Sequence, residues 1–406
     1  MRIGMMADIY KPHISGVTNY IELNKTYLEK AGHQVFVFTF GEEDQQDDDP
    51  NVIRSPGLPL RAPKAYADIQ VGLRYDAKAR RLLQTMDIVH AHHPFLSTTL
   101  ALRHCKPRGI PIVFTNHTRY DLMAQAYLTL LPEFVGELVG ELFIKTYLPS
   151  VCQAIDLVIA PSPSIKEYLQ RIGVNTSVEM IPHGVDLAPF REQFQPFARS
   201  KFGFTSYDVI VIYVGRLGPE KNIPFLLRAF YGAVQASPNL GLLLVGDGPE
   251  RDNLEAMVEH MNIAERVRFT GLVNYKDLPP YLASADVAAT ASVSETFGLS
   301  VVEAMASGLP ILGIRSPGIV DNVVDGVSGL LAENDLASFA AKMMMLVNDR
   351  ELRQSMGEQA RKAAEAFAIE RTVELMLSHY RRLLEQKKET KRGLGSMVQR
   401  LFSGRK

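Results

Sequence analysis

The chain has 406 residues, 46% apolar and 22% charged, and its 44 bases and 45 acids leave a formal net charge of −1. That length holds two or three domains, and the composition excludes collagen-like, low-complexity and largely disordered chains. The even charge balance gives no footing for nucleic-acid binding. Cys105 and Cys152 are too few for a disulfide framework or a cysteine-based zinc cluster, which fits a reducing compartment.

The opening residues, Met1 to Gly16, hold one arginine and no apolar run long enough for a secretory signal. Short β-rich runs then alternate with longer helical stretches. The first half offers Arg2–Met6, Gln34–Phe40, Ile88–Ala91, Pro111–Thr115, Leu157–Ala160 and Glu179–Pro182. The second half offers Val209–Val214, Gly241–Val245, Val267–Thr270, Val287–Ala291 and Pro310–Ile314. Uninterrupted apolar strands separated by helices predict parallel sheets covered on both faces. Eleven strands are too many for one ordinary sheet, and the rhythm lapses over residues 187–207. The expected architecture is α/β, with two doubly wound, Rossmann-like domains over residues 1–190 and 191–370. A helix over 371–384 is expected to return to the first domain, followed by a basic amphipathic tail over 385–406. Ligands bind outside the carboxyl ends of such strands.

Between Asp121 and Asp156 the most apolar stretch is interrupted by Glu133, Glu137, Glu141 and Lys145, too many charges for a membrane span. Glu42 to Asp49 holds six acids and reads as a solvated loop rather than a metal site. His90 and His92 share a face if they stand in a strand, but no further ligand lies nearby in sequence, and no metal is expected.

The strongest chemical pattern runs from Ser294 to Glu303. A strand ends near Ala291, a loop delivers Glu295, and a helix starts near Gly298. The free amides of that first turn suit a phosphate, and the carboxylates of Glu295 and Glu303 suit sugar hydroxyls and a ribose diol. A second pattern, Tyr213 to Asn222, places Arg216 and Lys221 at the end of the first strand of the second domain, where two cations can neutralise a diphosphate. Gly16, in the loop after the first strand, lets a backbone approach a phosphate, although no dinucleotide fingerprint follows that strand.

Together these patterns resemble the retaining glycosyltransferases of family 4, with the two-domain GT-B fold. The resemblance spans Met1 to about Leu384 and includes Gly16, His117, Ile181 to Asp186, Gly215 and Arg216 with Lys221, Val245 to Pro249, Phe269 to Val273, and Glu295 with Glu303. It implies that Arg216 and Lys221 bind the donor diphosphate with the amides of Gly16, Gly298 and Leu299. It further implies that Glu303 holds the ribose, Glu295 the transferred sugar and the backbone near Val273 the nucleobase, with Phe297 in the donor site and His117 beside the donor sugar. The catalytic set is then His117, Arg216, Lys221 and Glu295, without metal or other cofactor.

The segment Thr115 to Tyr120 is similar to bacterial glucosyltransferases acting on diacylglycerol. This implies UDP-glucose as donor, a membrane lipid as acceptor, and a place in the cytoplasm on the inner face of the plasma membrane. His92, His93 and Tyr120 are the expected acceptor-side residues. The tail supports a partner in anionic lipid: Leu394, Met397, Val398, Leu401 and Phe402 form one helical stripe, and Glu385–Lys406 carries seven bases against two acids. Leu131, Phe134, Val135, Leu138, Val139 and Leu142 form another stripe, and Arg54 to Arg81 carries seven bases against two acids. GDP-mannose as donor, a soluble or polymeric glycan as acceptor, nucleotide-sugar epimerisation and a non-catalytic binding protein remain open at this point.

Overall fold

The computed structural model describes residues 1–13, 15–42, 47–60, 69–120, 143–191, 195–197, 199–205 and 209–403. The first sheet contains β1 (Arg2–Met6), β2 (Gln34–Gly41), β3 (Val52–Pro56), β6 (Ile88–Ala91), β7 (Ile112–Thr115), β8 (Leu157–Ala160) and β9 (Val178–Met180). Its order is β3-β2-β1-β6-β7-β8-β9, and every neighbouring pair is parallel. A small antiparallel hairpin of β4 (Leu58–Leu60) and β5 (Ile69–Val71) stands apart.

The second sheet contains β10 (Val209–Val214), β11 (Leu240–Val245), β12 (Val267–Phe269), β13 (Val287–Thr290), β14 (Ile311–Ile314) and β15 (Gly329–Ala332), in the order β12-β11-β10-β13-β14-β15, again all parallel. Along β10, Val211 and Tyr213 enter a core with Phe230 and Phe339, while Ile210 and Ile212 enter the opposite core with Val302 and Met305. Alternation along a strand buried on both faces explains why its sequence is apolar throughout. In both sheets the strand order reverses beside the first strand, between β1 and β6 and between β10 and β13. These reversals open the crevices into which strand-end loops project.

All eleven expected strands form. β3, β4, β5 and β15 add to these and carry no clear sequence signal: β3 is an edge strand reading VIRSP, too polar to signal burial, and the others have three or four residues. In the described part of the acidic segment Asp47 pairs with Arg54 at 2.7 Å and Asp49 with Lys25 at 2.6 Å, while Glu42 and Asp48 are exposed.

The two C-terminal segments expected separately form one helix, Ile369–Ser403. Its Ile369, Val373, Met376, Leu377, Tyr380 and Leu383 share a core with Ile3, Met5, Ile21 and Leu28 of the first domain. The chain therefore crosses between domains twice, side by side: Val185 N–H donates to Phe367 O at 2.9 Å and Ile369 N–H to Val185 O at 3.0 Å. Gly184 permits that approach, because a Cβ there would stand 2.2 Å from Thr372 Oγ1 and 2.8 Å from Ile369 Cα. The side chains of the stripe Leu394 to Phe402, and the whole stripe Leu131 to Leu142, lie outside the described residues.

Candidate active site

The loop after β10 carries Arg216 and Lys221 and is fixed backbone to backbone. Leu217 N–H donates to Asp247 O at 2.9 Å, Glu250 N–H to Leu217 O at 3.0 Å, and the buried Tyr213 hydroxyl to Arg216 O at 2.9 Å. Gly246 is obligatory here: its φ is 136°, and a Cβ would fall 2.0 Å from Gly215 O. Asp247 and Gly248 thus belong to a strand-end turn that shapes the cationic loop. From β13, Ser294 Oγ donates to Glu220 O at 3.1 Å, and Asn222 Nδ2 donates to Ala291 O at 3.3 Å. Two strand-end loops are thereby stitched together.

That stitching brings Lys221 Nζ to 2.5 Å from Glu295 Oε1. Burial alone would lower the lysine pKa, but the Glu295 charge and hydrogen bond outweigh it and leave Lys221 raised. Burial likewise pushes Glu295 upward, and Lys221 with Ser292 reverses the sign. Arg216 lies 3.7 Å from Glu220 across one turn. The Glu295 loop leads into the helix Leu299–Ala306, whose N-terminal residue Gly298 has φ 76° and no side-chain cap. The first-turn amides of this helix carry no side-chain cap, and a helix N-terminus of that kind favours an anion.

Glu303 sits within that helix, 9% exposed, and burial raises its carboxyl to about 7. Glu303 and the half-exposed Tyr275 interact electrostatically, and Tyr275 follows Val273, whose side chain packs partly into the core. Phe297 is a core residue: its ring meets His183 and Phe367 at 5.3 Å each, and its carbonyl accepts from Asn322. Its side chain is therefore part of the core and presents no free aromatic face.

The first domain faces this edge. Gly16 is exposed at the start of the helix Gly16–Lys30, capped by Ser15 and Thr18, and a Cβ on Gly16 would lie 3.9 Å from Leu299 Cδ1. Two helix N-termini therefore oppose one another across the seam. Thr296 Oγ1 donates to His117 O at 2.8 Å, and Ser164 Oγ donates to Asp321 Oδ1 at 3.0 Å, tying the domains on either side.

His117 occupies the expected place after β7 but not the expected state. Its ring is 6% exposed and both nitrogens are taken: Nδ1 lies 3.1 Å from His183 Nε2, and Nε2 lies 3.1 Å from His92 Nδ1. It has no nitrogen left for a sugar hydroxyl in this arrangement. His90 adjoins His92 at 4.3 Å between ring centres, and its nitrogens meet Tyr380 OH and Thr115 Oγ1 at 2.6 Å each. Tyr20 packs its ring against His92, His117 and His183 at 5.7, 4.8 and 4.6 Å. Burial lowers all four imidazoles, His90 and His183 to about 3, so the series is neutral at physiological pH. Sequence reasoning placed His183 only within a motif; no local signal marks it as the third member of this series.

The expected acceptor-side residues are corrected in the same way. His92 is fully buried and Tyr120 is 5% exposed with its ring against Phe95, so neither lines an open surface. His93 is half-buried and accepts from Asp8 N–H at 3.2 Å. Cys105 and Cys152 are free and buried. Among the described residues no group of three or more His, Cys, Asp or Glu is arranged to hold a metal ion, and no helix is long and apolar enough to cross a membrane.

Two family models match successive parts of the chain: Glycosyltransferase Family 4 over residues 14–189 and Glycosyl transferases group 1 over residues 194–363. The chain is 30% identical over 359 residues to alpha-monoglucosyldiacylglycerol synthase of Streptococcus pneumoniae, covering 86% of this chain and 79% of the relative. It is 32% identical over 342 residues to the Acholeplasma laidlawii protein of the same name, covering 81% and 84%. In fold it is similar to sucrose-phosphate synthase of Thermosynechococcus elongatus, with a TM-score of 0.74 over 95% of this chain and 99% of that one, at 23% identity. The two facing parallel-sheet domains are the GT-B arrangement.

Proposed function

The chain belongs to glycosyltransferase family 4, and on that premise we propose that it transfers glucose from UDP-glucose to diacylglycerol at a membrane surface, with retention of configuration. The observation that carries the donor half is the Lys221–Glu295 pair, held beside Arg216 at the uncapped helix N-terminus of Gly298. Breaking a sugar–phosphate bond builds negative charge on the departing diphosphate, and fixed cations and amides aimed there lower the barrier. Arg216 and Lys221 supply the cations; Gly16, Gly298 and Leu299 supply the amides. As the diphosphate engages Lys221, Glu295 is freed for hydroxyls of the sugar, while Glu303 accepts from the ribose diol and the backbone near Val273 meets the base. No metal ion is required by this assignment.

The acceptor half rests on the two relatives, whose names contain glucosyl and diacylglycerol, and on the segment Thr115 to Tyr120. Support also comes from the first domain's surface: Leu58 and Leu73 are 77% and 81% exposed, in the same stretch as Arg74, Arg80 and Arg81. Apolar side chains beside bases suit an anionic lipid surface, whereas Arg54 of that stretch is occupied by Asp47. The basic end of the last helix is assigned to the same surface, at the inner face of the plasma membrane.

The test incubates purified protein with radiolabelled UDP-glucose and anionic vesicles, with and without diacylglycerol. Label in the lipid phase only with diacylglycerol is expected. Donor binding without lipid label redirects the acceptor to a soluble glycan; transfer from GDP-mannose instead overturns the donor. Removal of residues 393–406 is expected to reduce vesicle binding, and unaltered partitioning refutes the role of the tail.

A further inference from the structure

Two basic side chains that the donor assignment leaves unused tie down the acidic segment. Lys25, on the helix Gly16–Lys30, has its ammonium 2.6 Å from Asp49 and 2.7 Å from Glu29. Arg54, on the edge strand β3, has a side chain only 7% exposed, and four of its five N–H groups are engaged. Nε and Nη2 form a fork on the Asp47 carboxylate at 2.7 and 2.8 Å, Nη1 donates to Phe40 O at 3.0 Å, and Nη2 also donates to Lys11 O. A buried ion pair adds little net stability over apolar side chains of the same volume, because desolvating two charges offsets their attraction. A forked guanidinium adds geometry instead, since its planar donors fix several acceptors at once. Register places Arg54 opposite Thr39 on β2, with β1 next in the sheet, so the guanidinium reaches across β2 to the loop that leaves β1. That loop faces the second domain. His13 N–H turns back to donate to Tyr10 O at 3.3 Å, and the charge of Arg216 adds to burial in lowering the His13 imidazole. The loop ends at Gly16, where a Cβ would lie 3.9 Å from Leu299 Cδ1.

We propose that Arg54 is a positioning residue for the nucleotide-sugar diphosphate: fixed by Asp47, it holds the Lys11 carbonyl and so sets the backbone of the loop whose Gly16 amide meets the diphosphate. The proposal rests on the nucleotide-sugar reading above. It gives the acidic segment a task, and it explains why a buried arginine at a sheet edge spends its donors on one carboxylate and two strand-end carbonyls. Pairing also neutralises Asp47, which would otherwise oppose an anion bound at the same sheet edge.

The experiment measures binding of UDP and GDP, and stability to denaturant, for the full-length wild type, Arg54→Gln, Arg54→Lys and Lys25→Met. Arg54→Lys keeps a charge for Asp47 but loses the fork that also reaches Lys11 O. Lys25→Met breaks the other ion pair of the acidic segment and leaves the loop held. Affinity for the nucleotide bound by the wild type is expected to fall about tenfold in both Arg54 variants, the scale of one lost hydrogen bond to a charged group. Arg54→Lys is expected to recover stability relative to Arg54→Gln without recovering affinity. Lys25→Met is expected to lose stability with affinity within about twofold of the wild type. Unchanged affinity in the Arg54 variants, affinity that returns together with stability in Arg54→Lys, or an equal loss in Lys25→Met overturns the proposal and leaves the nucleotide-sugar reading intact. A wild type that binds neither UDP nor GDP overturns both. Hydrogen exchange without nucleotide gives a second readout: amides of residues 9–15 are expected to exchange faster in Arg54→Lys than in Lys25→Met, and equal rates overturn the proposal.

Discussion

Glu303 is a carboxyl that folding makes uncomfortable, and this is measurable. Burial raises it from 4.5 to about 7. The folded chain therefore keeps a proton that the unfolded chain releases from pH 4.5 upward, so stability falls as pH rises through that window and levels off above about 7. At 1.36 kcal/mol per unit, the full penalty is about 3 kcal/mol. Glu303→Gln removes the titration while keeping the shape. Chemical denaturation of both proteins from pH 4 to 9 should show equal pH dependence below 4.5 and a relative gain for Glu303→Gln of about 3 kcal/mol at pH 8. The same carboxylate, if it accepts from a ribose diol, is stabilised as an anion in the complex. Binding of UDP-glucose should then release a proton near pH 7, and affinity should rise about tenfold from pH 6 to pH 8 in the wild type only. Parallel stability curves would refute the buried-acid argument; a pH-independent affinity would refute the ribose role alone.

Lys221→Ala and Arg216→Ala are each expected to lower the initial transfer rate about a hundredfold or more, the scale of one lost transition-state donor; near-normal rates in both exclude diphosphate stabilisation by these side chains. Gly246→Ala forces a Cβ against Gly215 O and should cost about 1–3 kcal/mol together with turnover, measured by denaturation and rate on one preparation. Gly232→Ala, at an exposed helical position with open space around it, should instead gain about 0.5–1 kcal/mol at unchanged rate. Gly184→Ala should loosen the terminal helix from the first domain, read as faster hydrogen exchange over residues 369–383 than in the wild type.

The sequence places the candidate donor-site residues because their positions are locally determined. Arg216, Lys221, Gly298 and Glu303 are placed by the strand or helix they adjoin, so knowing where a run of apolar residues ends is enough to put them on one sheet edge. Even the Lys221–Glu295 contact, 74 residues apart, follows from β10 and β13 being neighbours. The histidine series is different. His92, His117 and His183 follow β6, β7 and β9, and their contacts depend on side-chain rotamers around a shared Tyr20 ring. Alternation along a strand shows that His90 and His92 share a face, but not that His117 is consumed by its neighbours. A histidine at a strand end looks available in sequence; packing decides that it is not. The same limit explains Phe297 and Tyr120, whose neighbours are motif residues but whose side chains serve the core.

The paired crossings at Val185 and Ala368 make the second domain an insertion. The core of the first domain draws on residues from Ile3 to Ile181 and then resumes only at Ile369, where the last helix supplies six side chains to it, while Val185 and Leu187 already belong to the core of the second domain. During synthesis the first domain cannot finish that core until Leu383 has left the ribosome, whereas everything the second domain needs has already emerged. The part made first is therefore completed last, and cutting the chain at its apparent midpoint would free one domain intact and leave the other without a wall.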